Sequence, residues 1–100
     1  MNLKIEETDE RYEVTLEGSM DSPAVQEIEG QIEPLYMGDM DVFIDCSHLN
    51  YIASSGLRVL LTIRQGTGAN GKEVIVRGLN DEIKSVFEST GFINLFTLVD

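Results

Sequence analysis

Two adjacent serines, Ser54 and Ser55, are the residues of this chain whose type and position best suit chemistry. They follow an apolar run, 42–44, at a point where a loop is expected to turn into a helix. The first backbone N–H groups of a helix lack intrahelical acceptors and form a partly positive pole. A serine there either accepts hydrogen bonds from those groups as a cap or carries a phosphate that the pole stabilises. The local sequence is compatible with both roles.

Two other motifs are weaker candidates for chemistry. Cys46 and His48 lie close together, but no orienting group or oxyanion hole accompanies them, and one Cys with one His falls short of a metal site. The pattern Gly66-x-Gly68-x-x-Gly71 matches a dinucleotide-binding fingerprint. It follows a predicted helix and precedes a predicted strand, whereas the fingerprint must leave a strand and open a helix. We interpret it as a flexible connector that ends the helix.

The serine pair also lacks the surroundings of a catalytic nucleophile. Ile52 and Ala53 stand where the G-x-S-x-G elbow of hydrolases needs its first glycine. His48 would have to act as the base, and no carboxylate is marked by its spacing as its partner. We therefore predict no catalytic residue, no cofactor and no metal ion, and favour a serine that is modified by the active site of another protein.

The composition indicates one acidic globular domain. One hundred residues suffice for a single core, and apolar and charged fractions of 42% and 25% are ordinary. Eighteen acidic and seven basic residues give a formal net charge of −11. This charge disfavours nucleic acid and anionic membranes, and it either favours a basic partner or simply provides solubility. A lone cysteine, a polar N-terminus and no apolar run near about 20 residues predict a cytoplasmic protein.

The first third of the chain is predicted to form a β-hairpin followed by a helix. Apolar residues alternate at period two between residues 3 and 17, with a polar turn in the middle. Asp21 or Ser22 is expected to cap the helix, and Pro23 suits its first turn. Pro34 removes a backbone donor and clashes with the preceding turn, so we expect the helix to end or kink near Glu33.

The remainder is predicted to alternate strands and helices. The apolar run 42–46 indicates a central strand covered on both faces by helices. The elements expected after it are a loop over 47–53, a helix over about 54–65, a strand over 73–77, a helix from residue 80 to Gly91 and a last strand over 95–99. The order β-β-α-β-α-β-α-β predicts an α/β fold with a mixed, mainly parallel sheet. In such sheets function lies at the carboxyl ends of the strands, where the serine-bearing loop leaves.

Segment 44–57, which contains the serine pair, resembles the central motif of the STAS domain, as in bacterial anti-sigma factor antagonists. Segment 18–21 resembles the end of the family's second strand, 70–74 the turn into a later strand, and 86–92 the end of its third helix. These segments cover nearly the whole chain in the right order. The resemblance therefore implies a single STAS domain over residues 1–100.

The resemblance also implies a function for the serine pair. In that family the antagonist binds an anti-sigma factor that is also a serine kinase, and binding frees the sigma factor. The kinase phosphorylates the first serine, which corresponds to Ser54, and a metal-dependent serine phosphatase restores the unmodified form. The family is usually monomeric when free and is regulatory, not enzymatic. The partner-binding residues implied around Ser54 are Asp21, Ser22, Ala53, Ser55, Gly56 and Leu57.

Two other functions stay open at this point. The same fold serves as an adaptor subunit in lipid-transport and stress-sensing complexes, and a small hydrolase would use Ser54 or Ser55 as its nucleophile. One departure from the family bears on the choice. Many members carry an aspartate immediately before the serine pair, whereas this chain has Ala53, which removes a charge and an acceptor beside Ser54.

Overall fold

A five-stranded sheet forms the framework of the computed structural model, which describes residues 1–99. The elements are β1 (Asn2–Glu7), β2 (Arg11–Met20), α1 (Ser22–Ile28), α2 (Glu33–Met37), β3 (Asp41–Ile52), α3 (Ser54–Ala69), β4 (Val74–Arg77), α4 (Asp81–Thr90), a 3₁₀ turn (Phe92–Asn94) and β5 (Thr97–Val99). The strands lie side by side in chain order, with β1 antiparallel to β2 and the other pairs parallel. The predicted α/β class, the order of elements and the central place of β3 are confirmed.

The helices pack on one face of this sheet. In β3, the side chains of Val42, Ile44 and Cys46 are fully buried, whereas Phe43 and Asp45 between them are partly exposed. The same alternation runs through β2 and β4, and the buried strand residues share one core with the buried residues of all four helices. The prediction that β3 is covered on both faces is therefore wrong.

Phe43 explains this error. Its apolar side chain completes the run that resembles a doubly buried strand, but it lies on the open face of the sheet. There the guanidinium carbon of Arg11 sits 4.5 Å from the centre of its ring, and this cation–π contact covers part of the exposed aromatic surface.

Residues 47–52, predicted as a loop, are a continuation of β3. The register with β2 shifts twice, and each time β3 contains one residue more than β2. As a result Cys46, Leu49 and Ile52 all face the core at a spacing of three. Strand recognition depends on a spacing of two, which these bulges remove.

The predicted first helix is divided into two. α1 ends at Ile28, and Pro34 lies in the first turn of α2 instead of ending a longer helix. The apolar residues at helical spacing, Val25, Ile28, Ile32 and Leu35, are nevertheless all buried.

α3 continues through the predicted glycine connector as far as Ala69. Gly66 is where α3 meets α2, since a Cβ at this position would collide with the backbone oxygen and Cα of Tyr36. Thr67 is buried beside it and donates its hydroxyl proton to the Ile63 carbonyl at 3.0 Å. A tertiary contact thus explains why a glycine occupies position 66 inside a helix despite its low helical propensity.

The last third follows the sequence-based expectation closely. The Asn80 side chain caps α4 by accepting from the Ile83 N–H at 2.8 Å, and Gly91 ends the helix with φ of 79°. The final strand is shorter than predicted because Phe96 turns into the core, where it packs against Phe87 and Phe92 with ring centres 5.7 and 5.9 Å apart.

Gly66→Ala is expected to lower the free energy of unfolding by about 1–3 kcal/mol, because the new methyl group must push α2 away from α3. Gly30→Ala is the matched control, since a Cβ there meets nothing within 4 Å, and its change should stay within about 0.5 kcal/mol. Urea unfolding of both variants measures the difference. Equal stability of the two variants would contradict the close contact at Gly66.

Candidate functional site

The candidate site lies where β2 and β3 end and the helices α1 and α3 begin. Met20, the last residue of β2, pairs with Ile52, the last residue of β3, and its carbonyl accepts the Ala53 N–H at 3.0 Å. The first turns of α1 and α3 are therefore held together, and the hydroxyl oxygens of Ser22 and Ser55 lie 3.2 Å apart. This edge is the carboxyl edge of a parallel sheet, as expected for a functional site.

Gly56 allows this close approach. It is buried, and a Cβ on it would lie 2.8 Å from Ile52 Cγ1 and 2.9 Å from Met20 Cγ. The first turn of α3 therefore rests directly on the ends of the two strands. Gly56, which the resemblance counts among the partner-binding residues, is buried, and its packing supports the exposed start of α3.

The two helices begin differently. Asp21 has extended backbone angles (φ −91°, ψ 178°) and caps α1 by accepting the Ala24 N–H at 3.0 Å. Ala53 occupies the same position of α3 with nearly the same angles (φ −85°, ψ 170°), but it has no side-chain acceptor. The capping role considered for Ser54 and Ser55 is therefore wrong, because both lie inside the helix.

The first turn of α3 consequently contains backbone N–H groups that have no acceptor among the described residues. Within residues 1–99, the N–H groups of Ser54, Ser55 and Gly56 donate no hydrogen bond, while the Leu57 N–H bonds the Ala53 carbonyl at 3.0 Å. Such donors carry the positive end of the helix dipole. An anionic group attached at this point would be stabilised by them.

The two serines differ in accessibility. Ser54 is exposed, whereas Ser55 is half-buried and in contact with Ser22. Of the other predicted partner-binding residues, Asp21 and Ala53 are half-buried, Ser22 is exposed, and Leu57 is half-buried against the core. The structure brings the implied residues to one edge of the sheet, with Ser54 the more accessible serine.

Sequence reasoning missed two exposed residues near this edge. Tyr51 is 53% exposed and pairs with Ser19 in the bulged part of β3. Arg58, four residues after Ser54, lines a groove of about 290 Å³ between α1, α2 and α3 together with Ser55 and Glu29. The spacing of four from Ser54 was a signal for Arg58, whereas the exposure of Tyr51 depends on bulges that the sequence does not display.

Cys46 and His48 do not form a reactive pair. The thiol is completely buried, and its burial, together with the charge of Asp45, raises its pKa to about 12. His48 is exposed, and its Nδ1 lies 3.2 Å from the Ser47 hydroxyl. A thiol that stays protonated is a poor nucleophile, so Cys46 acts here as a small apolar core residue.

Within residues 1–99, no three His, Cys, Asp or Glu side chains are grouped so that they could hold a metal ion. None of the helices in this part of the chain is long and apolar enough to cross a membrane.

Comparison with known proteins identifies the family. The model of the STAS domain matches residues 2–100. The chain belongs to the STAS domain family. An anti-sigma-B factor antagonist of Staphylococcus aureus is 34% identical over 98 residues, which cover 95% of this STAS domain and 91% of that protein.

Solved structures show the same fold. The anti-sigma factor antagonist SpoIIAA in its unphosphorylated form superposes with a TM-score of 0.79 at 20% identity, covering 99% of this STAS domain and 88% of that chain. The phosphorylated form of SpoIIAA, a Bacillus cell fate determinant, gives a TM-score of 0.77 at 20% identity, covering 99% and 92%.

Single substitutions can add a cap to α3 of this STAS domain and remove the cap of α1. Because Ala53 already has cap geometry, Ala53→Asp should supply the missing acceptor and raise the free energy of unfolding by about 1 kcal/mol. Asp21→Ala should remove the cap of α1 and lower it by a similar amount. Denaturant unfolding of the two variants measures both changes. A neutral effect of Ala53→Asp would mean that the start of α3 is not limited by its cap.

Cys46 provides a pH-dependent test of burial. An unfolded cysteine loses its proton near pH 8.5, whereas the buried thiol keeps it to about pH 12. Above about pH 9 the unfolded state therefore binds fewer protons, and the free energy of unfolding should fall as the pH rises. Cys46→Ala should show a shallower fall between pH 8 and 10.5 in urea unfolding. If the two proteins lose stability in parallel, the thiol is not protonated in the folded state as described.

Proposed function

We propose that this protein is an anti-sigma factor antagonist that binds an anti-sigma factor serine kinase and thereby releases a sigma factor. Phosphorylation of Ser54 would end this binding, and a metal-dependent serine phosphatase would restore it. The relative that supports the proposal is the anti-sigma-B factor antagonist, with which the chain shares 34% identity over 95% of its length. We expect the free protein to be a cytoplasmic monomer that binds no nucleic acid or membrane directly.

The observation that carries the choice of residue is the exposure of Ser54 at the uncapped start of α3. A kinase must bring the serine oxygen to the γ-phosphorus of ATP, and Ser54 is the more accessible of the pair. The N–H groups of the first turn would then stabilise the attached phosphate. Ser55 is less suitable because it is half-buried against Ser22.

The transfer itself uses the machinery of the kinase. The Ser54 oxygen forms a bond to the γ-phosphorus, the bond from that phosphorus to the bridging oxygen breaks, and ADP leaves. The hydroxyl proton of Ser54 passes to a base of the kinase. The phosphatase reverses the modification by hydrolysis, which releases inorganic phosphate. The antagonist contributes only a hydroxyl group held at an accessible helix start.

Charge explains why phosphorylation would act on binding and not on folding. A phosphate adds about −1.5 to −2 charges at pH 7. It would be attached to the first turn of α3, which contacts the residue next to Asp21 through Ser55 and Ser22, in a chain whose net charge is already −11. The helix start tolerates such a group in water, but a partner that covers this edge must strip water from it, which costs several kcal/mol unless new pairs form. The domain would stay folded while the complex dissociates.

A second candidate function is an adaptor subunit of a lipid-transport or stress-sensing complex. The observation that favours it is Ala53, which leaves no carboxylate directly before the serine pair. An adaptor would co-purify with transporter or scaffold proteins and would carry no phosphate on Ser54.

Incubation with the cognate anti-sigma factor kinase and ATP, followed by mass spectrometry, tests the modification. The unsubstituted protein and Ser55→Ala should gain one phosphate, and Ser54→Ala should gain none. Ser55→Ala is the matched control, since it removes an adjacent hydroxyl from the same helical turn. Phosphate on Ser55, or none at all, would overturn the assignment.

Affinity for the same kinase tests the switch. The phosphorylated protein and Ser54→Asp should bind at least about 10-fold more weakly than the unsubstituted protein, because an unpaired charge is buried in the interface. Calorimetry gives the affinities, and circular dichroism should show that both forms remain folded. Unchanged affinity would mean that the phosphate does not regulate this contact.

A further inference from the structure

Arg58 is a cation on the same helix as Ser54, and it has no partner in the part of the chain that the structure describes. It is exposed, and within residues 1–99 its guanidinium takes part in no ion pair and no hydrogen bond. Most other cations are engaged. Lys4, Arg11 and Arg77 pair with carboxylates, and Arg64 donates to the Leu95 carbonyl at 2.6 Å.

The geometry of α3 directs Arg58 toward the serine pair. Residues four apart on a helix are neighbours, with Cβ atoms about 5–6 Å apart. Long side chains on a helix tend to lean toward its N-terminus, so Arg58 can reach the turn that contains Ser54 and Ser55. Its place in the same groove as Ser55 agrees with this direction.

Two acidic side chains belong to the helix that packs against the start of α3. The Asp21 carboxylate caps α1, whose first turn touches α3 through Ser22 and Ser55, and Glu29 lines the groove beyond Arg58. Glu29 and Arg58 form no ion pair in the structure. Among the described residues, Arg58 is thus an unpaired cation one helical turn from Ser54, in a chain whose net charge of −11 opposes a further negative group.

We propose that Arg58 is the internal counter-charge for phosphorylated Ser54, donating guanidinium N–H groups to the phosphate oxygens from the next turn of α3. This inference rests on the proposed modification of Ser54. An acidic group four residues before a basic one is the favourable orientation on a helix. A guanidinium also matches two phosphate oxygens at once, which makes the contact stronger than that of a point charge.

Phosphoserine placed at position 54 during translation provides a test that needs no kinase. Phosphorus NMR then follows the second ionisation of the phosphate as a function of pH in the unsubstituted protein, R58Q, R58K and K72Q. The dianion is favoured by a nearby cation, so loss of Arg58 should move the midpoint upward by roughly 0.5 pH unit. R58K keeps the charge but loses the planar guanidinium that can donate to two phosphate oxygens at once. Its midpoint should lie between those of the unsubstituted protein and R58Q.

Lys72→Gln is the matched control for charge. Lys72 is exposed beyond the opposite end of α3, and its loss changes the net charge by the same amount. Its midpoint should equal that of the unsubstituted protein. The proposal is overturned if R58Q titrates like the unsubstituted protein, or if K72Q shifts as much as R58Q.

The two proposals can fail separately. If the kinase leaves Ser54 unmodified while R58Q shifts the titration, the proposed function fails and the contact with Arg58 stands. If the kinase modifies Ser54 while R58Q changes nothing, the proposed function stands and the role of Arg58 is wrong.

Discussion

The parallel pairing of β2 with β3 is the interaction on which the functional edge depends. β4 accompanies β3 only as far as Asp45, whereas β2 stays paired with it to Ile52. This two-stranded extension gives the Ala53 N–H its acceptor on Met20 and creates the surface on which Gly56 rests. The positions of both helix starts follow from it, and with them the position of the serine pair.

Features of the fold that depend on neighbouring residues could be predicted from the sequence. The hairpin and the start and end of the helix between residue 80 and Gly91 are local features, and both elements are present. Features that depend on distant contacts could not. The bulges of β3 remove the period of two by which a strand is recognised. The need for glycine at position 66 depends on Tyr36, some thirty residues away in the chain.

The candidate site shows the same division. The helix start at Ser54 follows from the local pattern. However, Ala53 occupies the N-cap position, so both serines lie inside the helix. The proximity of Asp21 to the serine pair was implied by the family resemblance, and the contact between Ser22 and Ser55 could not be foreseen from either strand alone. Such contacts arise only when β2 and β3 align in one register.

The missing cap on α3 also affects how the helix opens. A first turn without a side-chain acceptor separates from the rest of its helix at a lower free-energy cost than the same turn with a cap. Ser22 lies in the first turn of α1, where Asp21 and Pro23 oppose such opening. Ser54 lies in a turn with neither restraint. An enzyme that must draw a serine away from its helix would thus meet less resistance at Ser54 than at Ser22.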